Sequence, residues 1–453
     1  MKFTPKFDKD FQPLSIVLRD YRELAKNMET EKLKVCVERT KGYNYIYELD
    51  VIKSDEYKDL SYRLCERMIK TILWVVGGYK IYIQGPKYVY EGIKNAYTPS
   101  GARAFDFDFM SGVYESDMEV YYSDENNFPS LSTCSLKIGG HLDGCRIGFD
   151  AGGSDRKVSA VIDGEVVYSE EVVWHPKTQT DYNYHYQGIK ESILTAASKM
   201  PRVDAIGVSS AGVYIDNKIM VSSLFVKVPK EFYHEHVKTM YIDIAKELNI
   251  PIEVANDGDV TALAGAIDLN DNGVLGIAMG TSEAGGYINL DGGLNGWISE
   301  LAFVPVDFSL SAMQDEWSGD IGCGVKYFSQ DAVIKLAQNS GFKFEEGLTP
   351  AEKLNVIQDL MKNGDEMAKT IYADIGIYLG YAIPFYAEFY DIKHLLLLGR
   401  VTSGKGGSII MENANKVLKE EFSHLNINIE MPDEKNKRVG QSIAAASLAQ
   451  STK

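Results

Sequence analysis

An asparagine and an aspartate stand together at Asn256-Asp257, just after an apolar run, Ile252 to Ala255, that reads as a strand, and just before a helical pattern, Gly258 to Ile267. Two readings compete for the pair. Both residue types are favoured helix N-caps, because their side-chain oxygens accept the first free backbone N–H groups. A carboxylate at a strand end can also serve as a general base: Asp257 takes the proton of an attacking hydroxyl while Asn256 hydrogen-bonds another hydroxyl of the same polyol. Attack of a sugar-type hydroxyl on phosphorus requires such a base, with Mg²⁺ neutralising the developing charge on the phosphate.

Two glycine-rich turns could hold that phosphate. Cys145 to Phe149 leads into Asp150-Ala151-Gly152-Gly153-Ser154, and a second strand, Lys157 to Ile162, follows and turns at Asp163-Gly164. Further on, Val274 to Met279 leads into Gly280-Thr281-Ser282-Glu283-Ala284-Gly285-Gly286, followed by a strand from Tyr287 to Leu290. Glycine lets backbone N–H groups approach an anion. Either turn alone reads as a hairpin that needs glycine for its geometry. The pair says more, because a nucleoside triphosphate held between two lobes takes a donor turn from each. A dinucleotide fingerprint runs from strand into helix, and neither turn does. A third segment, Gly399 to Gly406, follows a strand and matches G-x-x-x-x-G-K, but its next position is glycine where a P-loop needs a Ser or Thr hydroxyl for Mg²⁺. That favours a turn lying under the flat base of an adenosine, with Gly399 and Gly404 making room.

These groups need a framework. Between the two turns the pattern predicts a helix (Gln187 to Met200), a strand (Val203 to Val208), a helix (Glu231 to Leu248) and the strand Ile252 to Ala255. After the second come helices Ala351 to Lys362 and Glu366 to Tyr390, strand His394 to Leu398 and helix Ile409 to Phe422. Strand-turn-strand units followed by alternating helices and strands, twice over, imply an internal duplication: an α/β protein with two sheets and a cleft between them. Ahead of this, Ser15 to Met28 and Glu56 to Leu73 have helical spacing, Lys34 to Tyr47 and Trp74 to Ile83 read as strands, and residues 124–144 lose periodicity and read as a linker.

Composition sets the limits. The chain has 453 residues, 45% hydrophobic and 25% charged, enough for several domains with ordinary cores. With 47 basic and 64 acidic residues its formal charge of −17 repels nucleic acid and anionic membranes. No helix-turn-helix spacing is found in the N-terminal part, so neither nucleic acid nor membrane is an expected partner. The five cysteines are far apart and include no C-x-x-C, which argues against a disulfide framework or a zinc ribbon. No signal-like or membrane-spanning stretch is present, and the expected location is cytoplasmic.

From about Gly144 onward the chain resembles the ROK family of sugar kinases and repressors, within the actin-like ATPase superfamily. The segments that carry the resemblance, in family order, are Asp150 to Ser154, Gly207-Val208-Ser209-Ser210-Ala211-Gly212, Asn256-Asp257 with its helix, Gly280-Thr281-Ser282, and His394 to Gly399 with a closing helix Gly440 to Ala449. The resemblance implies a two-lobed, ribonuclease H-like fold, here with an additional N-terminal α/β domain. It implies ATP and Mg²⁺ as cofactors and a hexose or amino sugar as acceptor, with Asp257 as base and Asn256, Glu300 and Ser210 at the sugar. It further implies Asp150 near the Mg²⁺ that ATP brings, and Gly152, Gly153, Ser154, Gly280, Thr281, Ser282, Gly399 and Gly404 at the nucleotide.

The expected division is 1–123 as an N-terminal domain, 124–144 as linker, 145–268 as first lobe and 269–453 as second lobe. The N-terminal domain, rich in tyrosine, is expected to contact the kinase part or a second subunit, with a homodimer as the candidate assembly. Two departures bear on function. The family's Gly-Glu-x-Gly-His segment is here Ser299-Glu300-Leu301-Ala302-Phe303, so the histidine that faces the sugar and binds zinc in the family is a phenylalanine. The zinc cysteines are reduced to Cys323, which cannot make a tetrahedral site, and no zinc is expected. The rival reading is a catalytically degenerate member that binds a sugar or nucleotide as a sensor or scaffold.

Overall fold

The computed structural model describes residues 1–432 and 434–451. In the N-terminal part, β1 (Thr30–Glu38) and β2 (Asn44–Ile52) form an antiparallel hairpin, paired from Thr30 with Ile52 to Glu38 with Asn44. The single strand expected over Lys34 to Tyr47 is thus two strands. Lys41 and Gly42 take φ of 62° and 73° at the turn between them, and the residues on either side keep a strand-like pattern. β3 (Lys80–Gln84) lies antiparallel to β1, and β4 (Glu119–Tyr122) lies parallel to β3. The strand expected from Trp74 is also corrected. Trp74 lies in the last turn of the helix Lys58–Val75, and the chain becomes extended only after Gly77 and Gly78, whose φ of 83° and 153° suit glycine. A Cβ on Gly78 would lie 2.4 Å from Val37 Cγ1, so glycine also brings the helix end close to β1.

The next sheet contains β5 (Cys145–Ala151), β6 (Asp155–Ile162), β7 (Glu165–Val173), β8 (Ala205–Ser210) and, beyond a small hairpin of β9 (Val213–Ile215) and β10 (Lys218–Val221), β11 (Ile252–Asn256). Its order is β11-β8-β5-β6-β7, with β5, β8 and β11 parallel and β6 and β7 antiparallel additions. β5 and β8 are buried almost throughout, as expected of strands covered on both faces. Gly148 and Gly207 are register neighbours on these strands. A Cβ would fall 2.4 Å from Ser442 O at the first and 1.7 Å from Ala445 O at the second. The closing helix Glu434–Ala446 can press its backbone onto the sheet because both side chains are missing.

The last sheet repeats the wiring on a smaller scale. β12 (Val274–Met279), β13 (Glu283–Ile288), β14 (His394–Leu398) and β15 (Asn428–Glu430) take the order β13-β12-β14-β15. In both sheets a hairpin lies to one side of the leading strand and the later strands join on the other, as an internal duplication requires. β13 begins at Glu283, so Glu283 to Gly286 are strand and the second turn shrinks to Gly280-Thr281-Ser282. The expected helix over Glu231 to Leu248 is broken into a short turn, a wide turn over Tyr233–Val237 and the helix Met240–Leu248.

The chain divides into two compact units that interleave along the sequence. One contains Met1–Cys134, Ile277–Gly285 and Trp297–Met431; the other contains Ser135–Gly276, Gly286–Gly296 and the chain from Pro432. These lines differ from the expected segments. The N-terminal residues join the first unit because their contacts are with its later part: Lys335 Nζ pairs with Asp8 at 2.9 Å, Arg22 with Glu388 at 2.8 Å, and Phe11 packs 4.7 Å from the Tyr378 ring. No helix among the described residues is long and apolar enough to cross a membrane.

Candidate active site

Parallel strands end their chains at the same sheet edge, and here that edge gathers the polar residues. In register, Asp150 on β5 lies beside Ser209 on β8, and Ser210 lies beside Asn256 on β11, with Asp257 opening the helix Asp257–Leu269. Asp150 Oδ1 accepts a hydrogen bond from Ser209 Oγ at 2.7 Å. Asn256 is the helix cap: its Oδ1 accepts from Gly258 N at 2.7 Å, while its Nδ2 donates to Gly212 O at 2.8 Å. Ser210 turns inward. Fully buried, it accepts a hydrogen bond from the Tyr241 hydroxyl at 3.1 Å, which leaves its own O–H as the only group it could offer a substrate.

The two carboxylates are half-buried. Burial, reinforced by the charge of Asp150, pushes Asp257 up to about 6, against the pull of the Gly258 N–H and Lys177. Burial likewise raises Asp150, opposed by the Ser209 hydroxyl and Lys157. A third carboxylate, Asp259, was not singled out from the sequence. Burial pushes it up to about 7, and it accepts the backbone N–H of Tyr287 at 3.1 Å, a structural bond that ties the helix start to β13. Only its spacing of two residues from Asp257 could have drawn notice.

The first glycine turn is clamped by a residue that the sequence reading also missed. The Trp174 indole donates to Gly152 O at 2.8 Å, and its backbone N–H donates to Ser154 O at 3.1 Å. Gly152 N–H closes the turn onto Asp155 O at 3.0 Å. Among the described residues, the N–H groups of Gly153 and Ser154 have no such partner. An anion could therefore take both without breaking an existing bond.

The other unit carries the remaining expected residues. Gly280 closes its turn onto Ser282 O at 2.9 Å, and Thr281 and Ser282 are exposed. Glu283 next to them is 3% exposed and is pushed up to about 8 by burial; Tyr386 donates to one carboxylate oxygen at 3.4 Å and the other oxygen has no partner. A Cβ on Gly399 would lie 2.3 Å from Met279 O, so this glycine lets the end of β14 touch β12, while Gly404, at φ 66°, precedes the helix Lys405–Glu421 with open space around it. Glu300 is half-buried and its N–H donates to Trp74 O at 2.9 Å. The Phe303 ring packs 4.3 Å from Trp74 and 5.2 Å from Phe105. Cys323 Sγ lies 3.8 Å from Asp320, which pairs with Arg67, Lys70 and Arg103. Burial pushes the Cys323 thiol up to about 12, away from the thiolate that a metal would need.

The ROK family model matches residues 146–451, more than half of the chain. The chain belongs to the ROK family. Among solved structures, this ROK protein is similar to the ROK hexokinase of Thermus thermophilus, with a TM-score of 0.52 and 16% identity over 66% of this chain and 97% of that one. It is also similar to a ROK family transcriptional regulator, a homologue of the E. coli MLC protein, with a TM-score of 0.51 and 18% identity over 68% of this chain and 79% of that one. A third similar structure is the ROK glucokinase of Streptomyces griseus, solved in complex with glucose and AMPPNP: its TM-score is 0.47 at 18% identity, over 67% of this chain and 99% of that one. At these identities the likeness to the hexokinase and to the regulator shows the fold alone, and that fold is shared by a kinase and a regulator. No curated protein matches the chain.

Proposed function

We propose that this ROK protein transfers the terminal phosphoryl group of ATP to a hydroxyl of a hexose or amino sugar. The observation that carries this reading is Asp257: a half-buried carboxylate at the sheet edge, raised to about 6, beside Asp150 and on the same unit as a turn with two N–H groups that have no partner among the described residues. A base with that affinity for a proton is ionised at neutral pH and strong enough to accept the proton of a hydroxyl as it attacks. The sugar oxygen forms its bond to phosphorus, the bond from phosphorus to the ADP oxygen breaks, ADP leaves, and the hydroxyl proton ends on Asp257.

Asn256 keeps one amide N–H beyond the bond to Gly212, and that N–H is assigned to a second sugar hydroxyl. Glu300 is assigned to the sugar as well. Gly152, Gly153 and Ser154 take phosphate oxygens; Gly280, Thr281 and Ser282, with Gly399 and Gly404, carry the nucleotide assignment of the other unit. The residues suit Mg²⁺ brought in with ATP, because Asp150 is a hard oxygen donor with one carboxylate oxygen beyond its bond to Ser209. When bound, the ion neutralises charge on the phosphates.

One observation favours a second reading, a sugar or nucleotide sensor. Phe303, at the position where the family places a sugar-facing histidine, is taken up in an aromatic cluster. The deciding measurement is ADP release with a panel of hexoses, amino sugars and their acetylated forms. Release that depends on one of these sugars supports the kinase; nucleotide binding without turnover on any acceptor supports the sensor.

A further inference from the structure

Just after β7 the chain reads Trp174-His175-Pro176-Lys177-Thr178, and Pro176–Thr178 form a single tight turn. Contacts on several sides fix this turn. Trp174, 1% exposed, is tied to the carbonyls of Gly152 and Ser154. The fully buried His185 places Nε2 3.1 Å from Pro176 O; a carbonyl oxygen only accepts, so that nitrogen carries the proton, and burial holds the ring below its usual range and therefore neutral. The His175 N–H donates to the Tyr184 hydroxyl at 3.0 Å, and the Thr178 hydroxyl donates to His175 O at 3.0 Å.

The residue that this turn presents is Lys177. Its side chain lies along the first glycine turn: the place that a Cβ of Gly153 would occupy is 3.1 Å from Lys177 Cε and 3.3 Å from Nζ. It is exposed and forms no ion pair among the described residues, although its charge is felt at Asp257. An uncommitted ammonium group therefore stands beside Gly153, in the turn whose two N–H groups have no partner among the described residues. Cation and backbone donors together make a site for a phosphoryl group bearing several negative oxygens.

We propose that Lys177 is the cation that holds the terminal phosphoryl group of ATP on the Gly152 to Ser154 turn, with Trp174 and His185 as positioning residues. This rests on the kinase reading and extends it. Lys177 donates hydrogen bonds to phosphate oxygens and takes no part in the proton transfer.

Calorimetric titration of the full-length protein with Mg²⁺-AMPPNP and with Mg²⁺-ADP tests the assignment, because only the first has a third phosphoryl group. Lys177→Ala is expected to weaken AMPPNP by about 10- to 100-fold, the range for hydrogen bonds to charged groups, and ADP by less than about 3-fold. Lys177→Arg should recover part of the loss, and His185→Gln should give a smaller version of it. Equal weakening of both nucleotides would mark a merely structural lysine and overturn the proposal, as would unchanged AMPPNP binding. A wild-type protein that binds neither nucleotide overturns the kinase reading and this assignment together; one that binds AMPPNP as tightly with alanine at 177 overturns this assignment alone.

Discussion

Replacing Asp257 by asparagine separates a catalytic carboxylate from a structural one, because the two roles predict opposite effects. Burial and Asp150 raise Asp257 from 3.8 to about 6, and at about 1.4 kcal/mol per unit the ionised side chain costs the folded protein roughly 3 kcal/mol. The sign follows from proton binding. Below about pH 4 both folded and unfolded chains hold the proton and the raised affinity has no effect. Between about 4 and 6 the folded chain keeps a proton that the unfolded one has lost, and wild-type stability falls steadily as pH rises. The amide carries no charge, so Asp257→Asn should match wild type near pH 4 and melt a few degrees higher at pH 7.5, with the gap flat beyond about 7. The helix keeps its cap, since Asn256 bonds Gly258 N. Catalysis should go the other way, with kcat lower by about 10²- to 10⁴-fold and sugar binding retained. Melting curves across pH and a coupled assay of ADP release report both. Near-normal kcat would refute the role as base, and a melting temperature lowered at pH 7.5 would refute the electrostatic argument.

Glu283→Gln should be neutral to stability at pH 4 and stabilising at pH 8, because the acid is raised to about 8 by burial and wild type loses stability between about 4.5 and 8; denaturation midpoints at the two pH values check this. Gly207→Ala should cost more than about 3 kcal/mol, since its Cβ would lie 1.7 Å from Ala445 O and force the closing helix off the sheet; the melting temperature and protease resistance of the C-terminal segment read it out. Elemental analysis of the purified protein should find well under one zinc per chain, and Phe303→His should not raise it, because the Cys323 thiol is buried beside the Asp320 ion pairs.

What could be read from sequence was local. The apolar runs of β5 and β12, each ending in a glycine turn, and Asn256-Asp257 between a strand and a helix are contiguous patterns. The turn at Lys41-Gly42 was hidden because strand-like residues continue on both sides of it. Trp74 sits in an apolar stretch that fits helix or strand equally, and Gly77-Gly78 decide. The inward turn of Ser210 depends on Tyr241, 31 residues away. The grip of Trp174 on the first turn is likewise a tertiary contact that no spacing rule announces. The membership of the N-terminal residues in the unit of Trp297–Met431 rests on pairs such as Asp8 with Lys335, which are 327 residues apart.

The interleaving of the two units dictates an order of assembly. A ribosome delivers β5, β8 and β11 long before the helix whose backbone rests on Gly148 and Gly207, and it delivers the N-terminal sheet long before the partners of Asp8 and Arg22. Apolar surface on both early pieces is covered only by later stretches of chain, and surface left uncovered in this way is where a folding chain is prone to aggregate. No fragment that stops short of Met431 contains a whole unit, so each unit is completed only near the end of the stretch it spans.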